Sequence, residues 1–180
     1  MNIFLVGFMG SGKSTLGKKI AQQLNYKFID TDKEIEIAQN NSIAQIFESQ
    51  GELHFRQLEL DWLKTYSAEN TVIATGGGMP CFNENLKILQ QKGKLVYLHL
   101  PAEVLADRLL QAKTSRPLIA NFTDNREALI NYINDTLNIR TTFYQQSDFT
   151  LSGLNLTSEK IKQLIELLLK SDSLNNQSLE

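Results

Sequence analysis

Eight residues near the start of the chain, Gly7-Phe8-Met9-Gly10-Ser11-Gly12-Lys13-Ser14, restrict its fold more than any other feature. They match G-x-x-x-x-G-K-[ST], directly after the apolar run Ile3 to Val6 and directly before a segment of helical spacing. Glycines let backbone N–H groups turn inward into an anion nest, and the N-terminus of the following helix adds positive partial charge. The pattern therefore predicts a strand, a phosphate-binding loop and a helix, in that order. Gly10, Ser11, Gly12, Lys13, Ser14 and Thr15 are the candidate nucleotide contacts, with Lys13 reaching the β- and γ-phosphates and Ser14 ligating Mg²⁺. The plainer reading is a glycine turn between a strand and a helix, with Gly17 there only for close packing.

Short apolar runs bounded by turns recur at Lys27 to Ile29, Thr71 to Ala74, Leu95 to Leu100 and, more weakly, Phe149 to Leu151. Helical spacing lies between and after them, over Ser14 to Leu24, Ile43 to Tyr66, Asn83 to Lys92, Ala102 to Ala112, Asp124 to Tyr144 and Ser158 to Lys170. Strands alternating with helices predict an α/β fold, its parallel sheet covered on both faces. The 180 residues, 42% of them hydrophobic, suit one domain over 1–170 with a polar, frayed tail over 171–180. Lys113 to Leu118, polar and then broken by Pro117, reads as an exposed loop. A net charge of -2 lacks the basic excess of a nucleic-acid binder. One cysteine, Cys81, and two histidines, His54 and His99, cannot build a disulfide framework or a Cys/His zinc site. The apolar stretches fall far below the roughly 18 residues of a membrane span, and the N-terminal run lacks the basic flank and cleavage site of a signal peptide. No membrane partner and a cytoplasmic location are expected.

The acid that a phosphate loop needs beside its metal narrows the class. No Asn-Lys pair occurs, so the guanine-reading element of GTPases is missing, and the run Thr71 to Ala74 ends in Thr75-Gly76-Gly77-Gly78 rather than an aspartate. Two carboxylates stand instead at the end of the second strand, in Phe28-Ile29-Asp30-Thr31-Asp32. Ligands of open α/β sheets bind at such carboxyl ends. One acid would serve the metal and the other would accept the proton of an attacking hydroxyl. The alternative is an Asx turn in which Asp32 caps a helix beginning at Lys33.

The loop G-F-M-G-S-G-K-S-T-L-G, the segment F-I-D-T-D-K-E-I-E, F-R-x-x-E at Phe55 to Glu59, the glycines 76 to 78, R-P-L at Arg116 to Leu118 and R-x-x-x-Y at Arg140 to Tyr144 stand together in one order. In that set, over nearly its whole length, the chain resembles the shikimate kinases. The resemblance implies a three-layer P-loop kinase fold with a five-stranded parallel sheet, an acceptor-binding segment over about 32–60 and a mobile lid over about 110–123. It implies transfer of the γ-phosphate of ATP to the 3-hydroxyl of shikimate with Mg²⁺, in the aromatic amino-acid pathway, by a monomer. Asp32 would then be the base, Asp30 and Ser14 the metal residues, and Arg56 and Arg140 a forked clamp on the acceptor's carboxylate. Gly77 and Gly78 would meet the acceptor through backbone, where side chains would fill its space, and the lid arginine Arg116 would fold over ATP. Glu59 would hold Arg56, and Arg108 is a stacking candidate for the adenine. Simpler roles exist for each: Arg56 as a helix-surface charge paired with Glu52 and Glu59, Arg140 as a solvated charge, Arg116 as an ordinary surface arginine. A kinase for another hydroxylated acceptor such as gluconate, and a nucleotide-binding module without turnover, are the competing functions.

Overall fold

The computed structural model describes residues 1–112, 117–122 and 124–177, side chains excepted at 117, 120, 121 and 173–177. Five strands, β1 (Ile3–Val6), β2 (Lys27–Asp30), β3 (Thr71–Ala74), β4 (Lys94–His99) and β5 (Phe149–Ser152), form one parallel sheet in the order β2-β3-β1-β4-β5. The helices are α1 (Lys13–Leu24), α2 (Thr31–Gln39), α3 (Ile43–Thr65), α4 (Asn85–Lys92), α5 (Ala102–Leu110), α6 (Arg126–Tyr144) and α7 (Ser158–Gln177). Alternation along β1 builds the layers. Ile3 and Leu5 join Leu16 and Ile20 of α1 and Ile161, Leu164 and Leu168 of α7 on one face, while Phe4 meets Leu63 of α3 and Leu89 of α4 on the other. Each such side chain, fully buried, contributes about 1.5–3 kcal/mol of transfer free energy. No helix among the described residues is long and apolar enough to cross a membrane.

Five strands and the α/β alternation agree with the sequence reading, and the departures have local causes. The strand expected over Leu95 to Leu100 runs instead from Lys94, whose N–H donates to the Asn2 carbonyl, and Leu100 turns into the cluster of Leu105, Ala106 and Ile133. A helix expected from Asn83 starts at Asn85, because Asn83 takes a left-handed φ of 53°. The helix expected from Lys33 starts at Thr31, so Asp32 lies inside its first turn and caps nothing. Asp30 occupies the cap position without a side-chain capping bond, its carboxylate being turned to Ser14. Nor is Ile43 to Tyr66 one helix: Gly51, at φ 80° and ψ 173°, breaks α3 into two straight pieces. The last helix passes Lys170 and continues to Gln177, the Ser171 hydroxyl donating to the Leu168 carbonyl in the added turn.

Candidate active site

The carboxyl ends of β1, β2 and β3 open into a cavity of about 790 Å³. Gly10, Gly12, Lys13, Ser14, Thr15, Asp30, Asp32, Arg56, Gly77, Gly78 and Arg140 all line it. The sequence motifs, scattered over some 130 positions, thus meet in one place. Arg116 lies outside the described residues, while Leu118, from the same segment, reaches the cavity wall.

The phosphate loop leaves the central strand and is shaped by Gly10 and Gly12, at φ 80° and 103°, with Gly12 at the cap position of α1. Phe8, 1% exposed, pins the loop into the cluster of Leu105, Leu129 and Ile133. Lys13 is buried and donates to the Gly7 and Phe8 carbonyls at 2.8 and 2.9 Å. Ser14 is exposed and its hydroxyl donates to Asp30 Oδ2 at 2.6 Å, so the two expected metal residues are adjacent. Ser11 is buried with its hydroxyl oxygen unpartnered among the described residues. Arg108 braces the loop from α5, donating to the Ser11 carbonyl at 3.0 Å and the Gly153 carbonyl at 3.4 Å. Sequence reasoning offered it only as a stacking partner for adenine; the loop contact comes from tertiary packing, which carries no local signal.

Another wall of the cavity is built around the glycines after β3. The Gly76 N–H donates to the Thr31 hydroxyl at 2.9 Å, and the Tyr144 hydroxyl donates to the Gly77 carbonyl at 2.6 Å. The glycines also leave room for protein groups, which the sequence did not suggest. A Cβ on Gly76 would stand 2.6 Å from Glu59 Oε1 and 2.7 Å from Asp32 Oδ1, and one on Gly78 would stand 2.7 Å from both Nη atoms of Arg56. A Cβ on Gly77 would press on the Met9 nitrogen at 3.1 Å. Side chains there would therefore displace the charged groups and the phosphate loop, rather than only crowd a ligand.

Those charged groups are unequal. Arg56, 5% exposed, is held by Glu52 and Glu59, each at 2.7 Å, and its guanidinium lies 4.3 Å from the Phe82 ring centroid. The pairs read as a surface possibility thus exist, the one with Glu59 buried and the one with Glu52 reaching Arg56 from an exposed position. Nε, Nη1 and Nη2 each give one N–H to these acids, leaving two of the five for a ligand. Burial works against the charge on Arg56, yet Glu59 and Glu52 hold its pKa above the ordinary value. Arg140, 8% exposed, forms no ion pair among the described residues; its guanidinium faces the Phe8 ring at 5.9 Å. Glu59 and Arg140 act on each other by charge, but no carboxylate closes on the guanidinium to ion-pair distance among the described residues, which leaves room for a ligand's anion. Asp32 is half-buried, with Oδ1 enclosed and unpartnered among the described residues. Burial, and then the charge of Asp30, push its carboxyl up to about 6, with Lys13 and Arg56 pulling the other way.

Phe47, Phe55, Ile43 and Ala44 from α3 add an apolar wall to the same cavity. No motif marked those residues, and helical spacing over the segment does not tell which of its side chains meet a cavity. Glu36, which also lines the cavity, accepts the Ile43 N–H at 3.0 Å and so ties the start of α3 to α2.

A family model described as shikimate kinase matches residues 9–169. A shikimate kinase from Bacteroides thetaiotaomicron is 37% identical over 176 residues, covering 93% of this chain and 99% of that protein. Among solved structures, a 1.7 Å crystal structure of shikimate kinase from the same species superposes with a TM-score of 0.83 at 36% identity, over 93% of this chain and 98% of that one. Shikimate kinase from Acinetobacter baumannii, solved in complex with shikimate, gives a TM-score of 0.79 at 34% identity, over 97% and 93% of the two chains.

Proposed function

The chain belongs to the shikimate kinase family, and on that premise we propose how its residues divide the transfer of the γ-phosphoryl group of ATP to the 3-hydroxyl of shikimate. The observation that carries the reading is Arg140, a buried guanidinium with no ion pair among the described residues, in one cavity with Arg56, Asp32 and the phosphate loop. Such a cavity suits a small acceptor that brings its own carboxylate and presents a hydroxyl to a base.

ATP lies with its phosphates on the backbone N–H groups of residues 10–15, against the N-terminus of α1. Lys13 exchanges the Gly7 and Phe8 carbonyls for the β- and γ-phosphate oxygens, and it is already within its own loop to do so. Arg56 and Arg140 take the shikimate carboxylate by forked hydrogen bonds, turning the opposite side of the ring toward the phosphates. The Asp32 carboxylate accepts the 3-hydroxyl proton as the oxygen attacks phosphorus; the bond to the β-phosphate oxygen breaks, and ADP and shikimate 3-phosphate result. Arg116, assigned from its R-P-L motif alone, closes over ATP, adds charge at the γ-phosphoryl oxygens and excludes water.

Ser14 and Asp30 would hold Mg²⁺. Their 2.6 Å hydroxyl–carboxylate contact beside the phosphate loop supplies the hard oxygen donors this ion prefers. No group of three His, Cys, Asp or Glu side chains able to hold a metal exists among the described residues, which fits an ion that keeps waters and takes phosphate oxygens. When bound, it would neutralise phosphate charge. A single cysteine suits the reducing cytoplasm.

Asp32→Asn tests the assignment of the base. Nucleotide affinity by calorimetry is expected to stay within about threefold, while turnover in a coupled ADP assay with shikimate falls by about 10²–10⁴. Near-normal turnover would remove Asp32 from its role. Gluconate, tested beside shikimate with the unaltered protein, is expected to release no ADP above background.

A further inference from the structure

We propose that the Tyr144 hydroxyl is a positioning group for the acceptor, setting together the glycine loop and the Arg140 guanidinium that would grip it. Tyr144 ends the R-x-x-x-Y motif, and nothing above gives it a part in the reaction. It is fully buried, one turn beyond Arg140 on α6. Its ring is held by packing alone, stacked on Tyr97 with centroids 5.1 Å apart and planes 29° apart, in a cluster with Val6. A phenylalanine would fill that place equally well. The hydroxyl therefore has a task separate from the core, and its bonds show which.

It donates to the Gly77 carbonyl at 2.6 Å, the shortest side-chain tie on the loop between Thr75 and Gly78. The Thr31 hydroxyl anchors the same stretch by accepting the Gly76 N–H at 2.9 Å. With the Gly76 N–H and the Gly77 carbonyl both tied, the backbone that follows passes so near Arg56 that a Cβ at position 78 would stand 2.7 Å from both Nη atoms of its guanidinium. The same hydroxyl also senses Arg140. Burial raises the Tyr144 pKa and the nearby Cys81 adds to the rise, while the Arg140 guanidinium opposes both by charge and by hydrogen bonding. Burial also pushes the Cys81 thiol up to about 11, so it stays a neutral neighbour. Arg140 and Tyr144 stand four residues apart on α6, a spacing that stacks their side chains on one face of the helix, so a group that holds the Tyr144 hydroxyl to the glycine loop also bears on where the Arg140 guanidinium lies.

This inference rests on the assignment of Arg140 to the acceptor's carboxylate, and the test separates the two. Tyr144→Phe removes one oxygen and leaves the stack. Steady-state kinetics are expected to show the shikimate KM raised about tenfold, the scale of one lost hydrogen bond to a charged group, with the ATP KM within twofold. In Arg140→Lys the shikimate KM rises whether or not Tyr144 takes part, and adding Tyr144→Phe to it is expected to raise that KM less than threefold further. An unchanged shikimate KM in Tyr144→Phe overturns the inference. So does a parallel rise in both KM values, full additivity in the double variant, or a loss of fold seen by circular dichroism, each of which makes the hydroxyl a structural bond. An Arg140→Lys protein with a normal shikimate KM overturns the carboxylate clamp instead.

Discussion

Asp32 joins two properties that pull against each other: it is enclosed enough to be a strong base and yet carries a charge at neutral pH. Its carboxyl sits at about 6 rather than near 4, chiefly through burial and then through Asp30. The folded state therefore binds a proton more readily than the unfolded chain. Stability associated with this group is present below pH 4 and is lost as pH rises toward and past 6. Asp32→Asn removes that loss. The variant is expected to be more stable than the unaltered protein at pH 7.5, by on the order of 2 kcal/mol, with the gap closing below pH 4. Urea denaturation at both pH values measures it, and a variant equally stable at pH 7.5 would show that the carboxylate is not destabilising where it sits. At this scale the sequence was informative for residues whose type is dictated by chemistry, such as Lys13, Asp32 and the two arginines. It was silent on what surrounds them. Thr31, Tyr144 and Arg108 act through bonds to backbone groups 45, 67 and 97 positions away, which no local pattern encodes.

Elements were legible where apolar periodicity matched burial and were misread where a single residue overruled it. β1 and β3 have the expected bounds because all four residues of each are buried, so the apolar run and the strand coincide. The misreading of α3 is the instructive case. Its apolar spacing continues across Gly51, and a lone glycine inside a helical pattern is usually tolerated. Here it adopts φ 80° and ψ 173°, a conformation almost confined to glycine. A Cβ there would meet nothing within 4 Å, so the obstacle to any other residue is the backbone itself. The break lets the segment with Ile43, Ala44 and Phe47 line the cavity while the following segment brings the buried Arg56 and Glu59 to the same cavity. Gly51→Ala is expected to lower stability by about 1–3 kcal/mol, with an unchanged denaturant slope. Equal stability would mean that the two pieces of α3 straighten into one helix without penalty.

For the whole molecule, the strand order separates what holds the fold from what performs the reaction. β1 is central, so the phosphate loop, the Asp30–Asp32 turn and the glycine loop emerge side by side from β1, β2 and β3 at one edge of the sheet. That convergence follows from parallel crossovers and is why a net charge of -2 conceals a local meeting of Lys13, Arg56 and Arg140. The C-terminal helix lies with α1 on the other side of the layers from Arg56 and Arg140, with Ile161, Leu164, Ile165 and Leu168 in the largest apolar cluster and none of its residues lining the cavity. A change there acts on stability without touching the site. Leu168 is fully buried, and Leu168→Ala is expected to cost about 2–5 kcal/mol through lost transfer free energy and the cavity it leaves. Both KM values, measured well below the melting midpoint, are expected to stay within twofold. Among the described residues Leu168 is the last side chain of the helix in that cluster, so removing residues 171–180 is expected to move the midpoint by less than about 3 °C. A shikimate KM that rose in Leu168→Ala would mean that core packing on the α1 and α7 face reaches across the sheet to the clamp, against the layering described above.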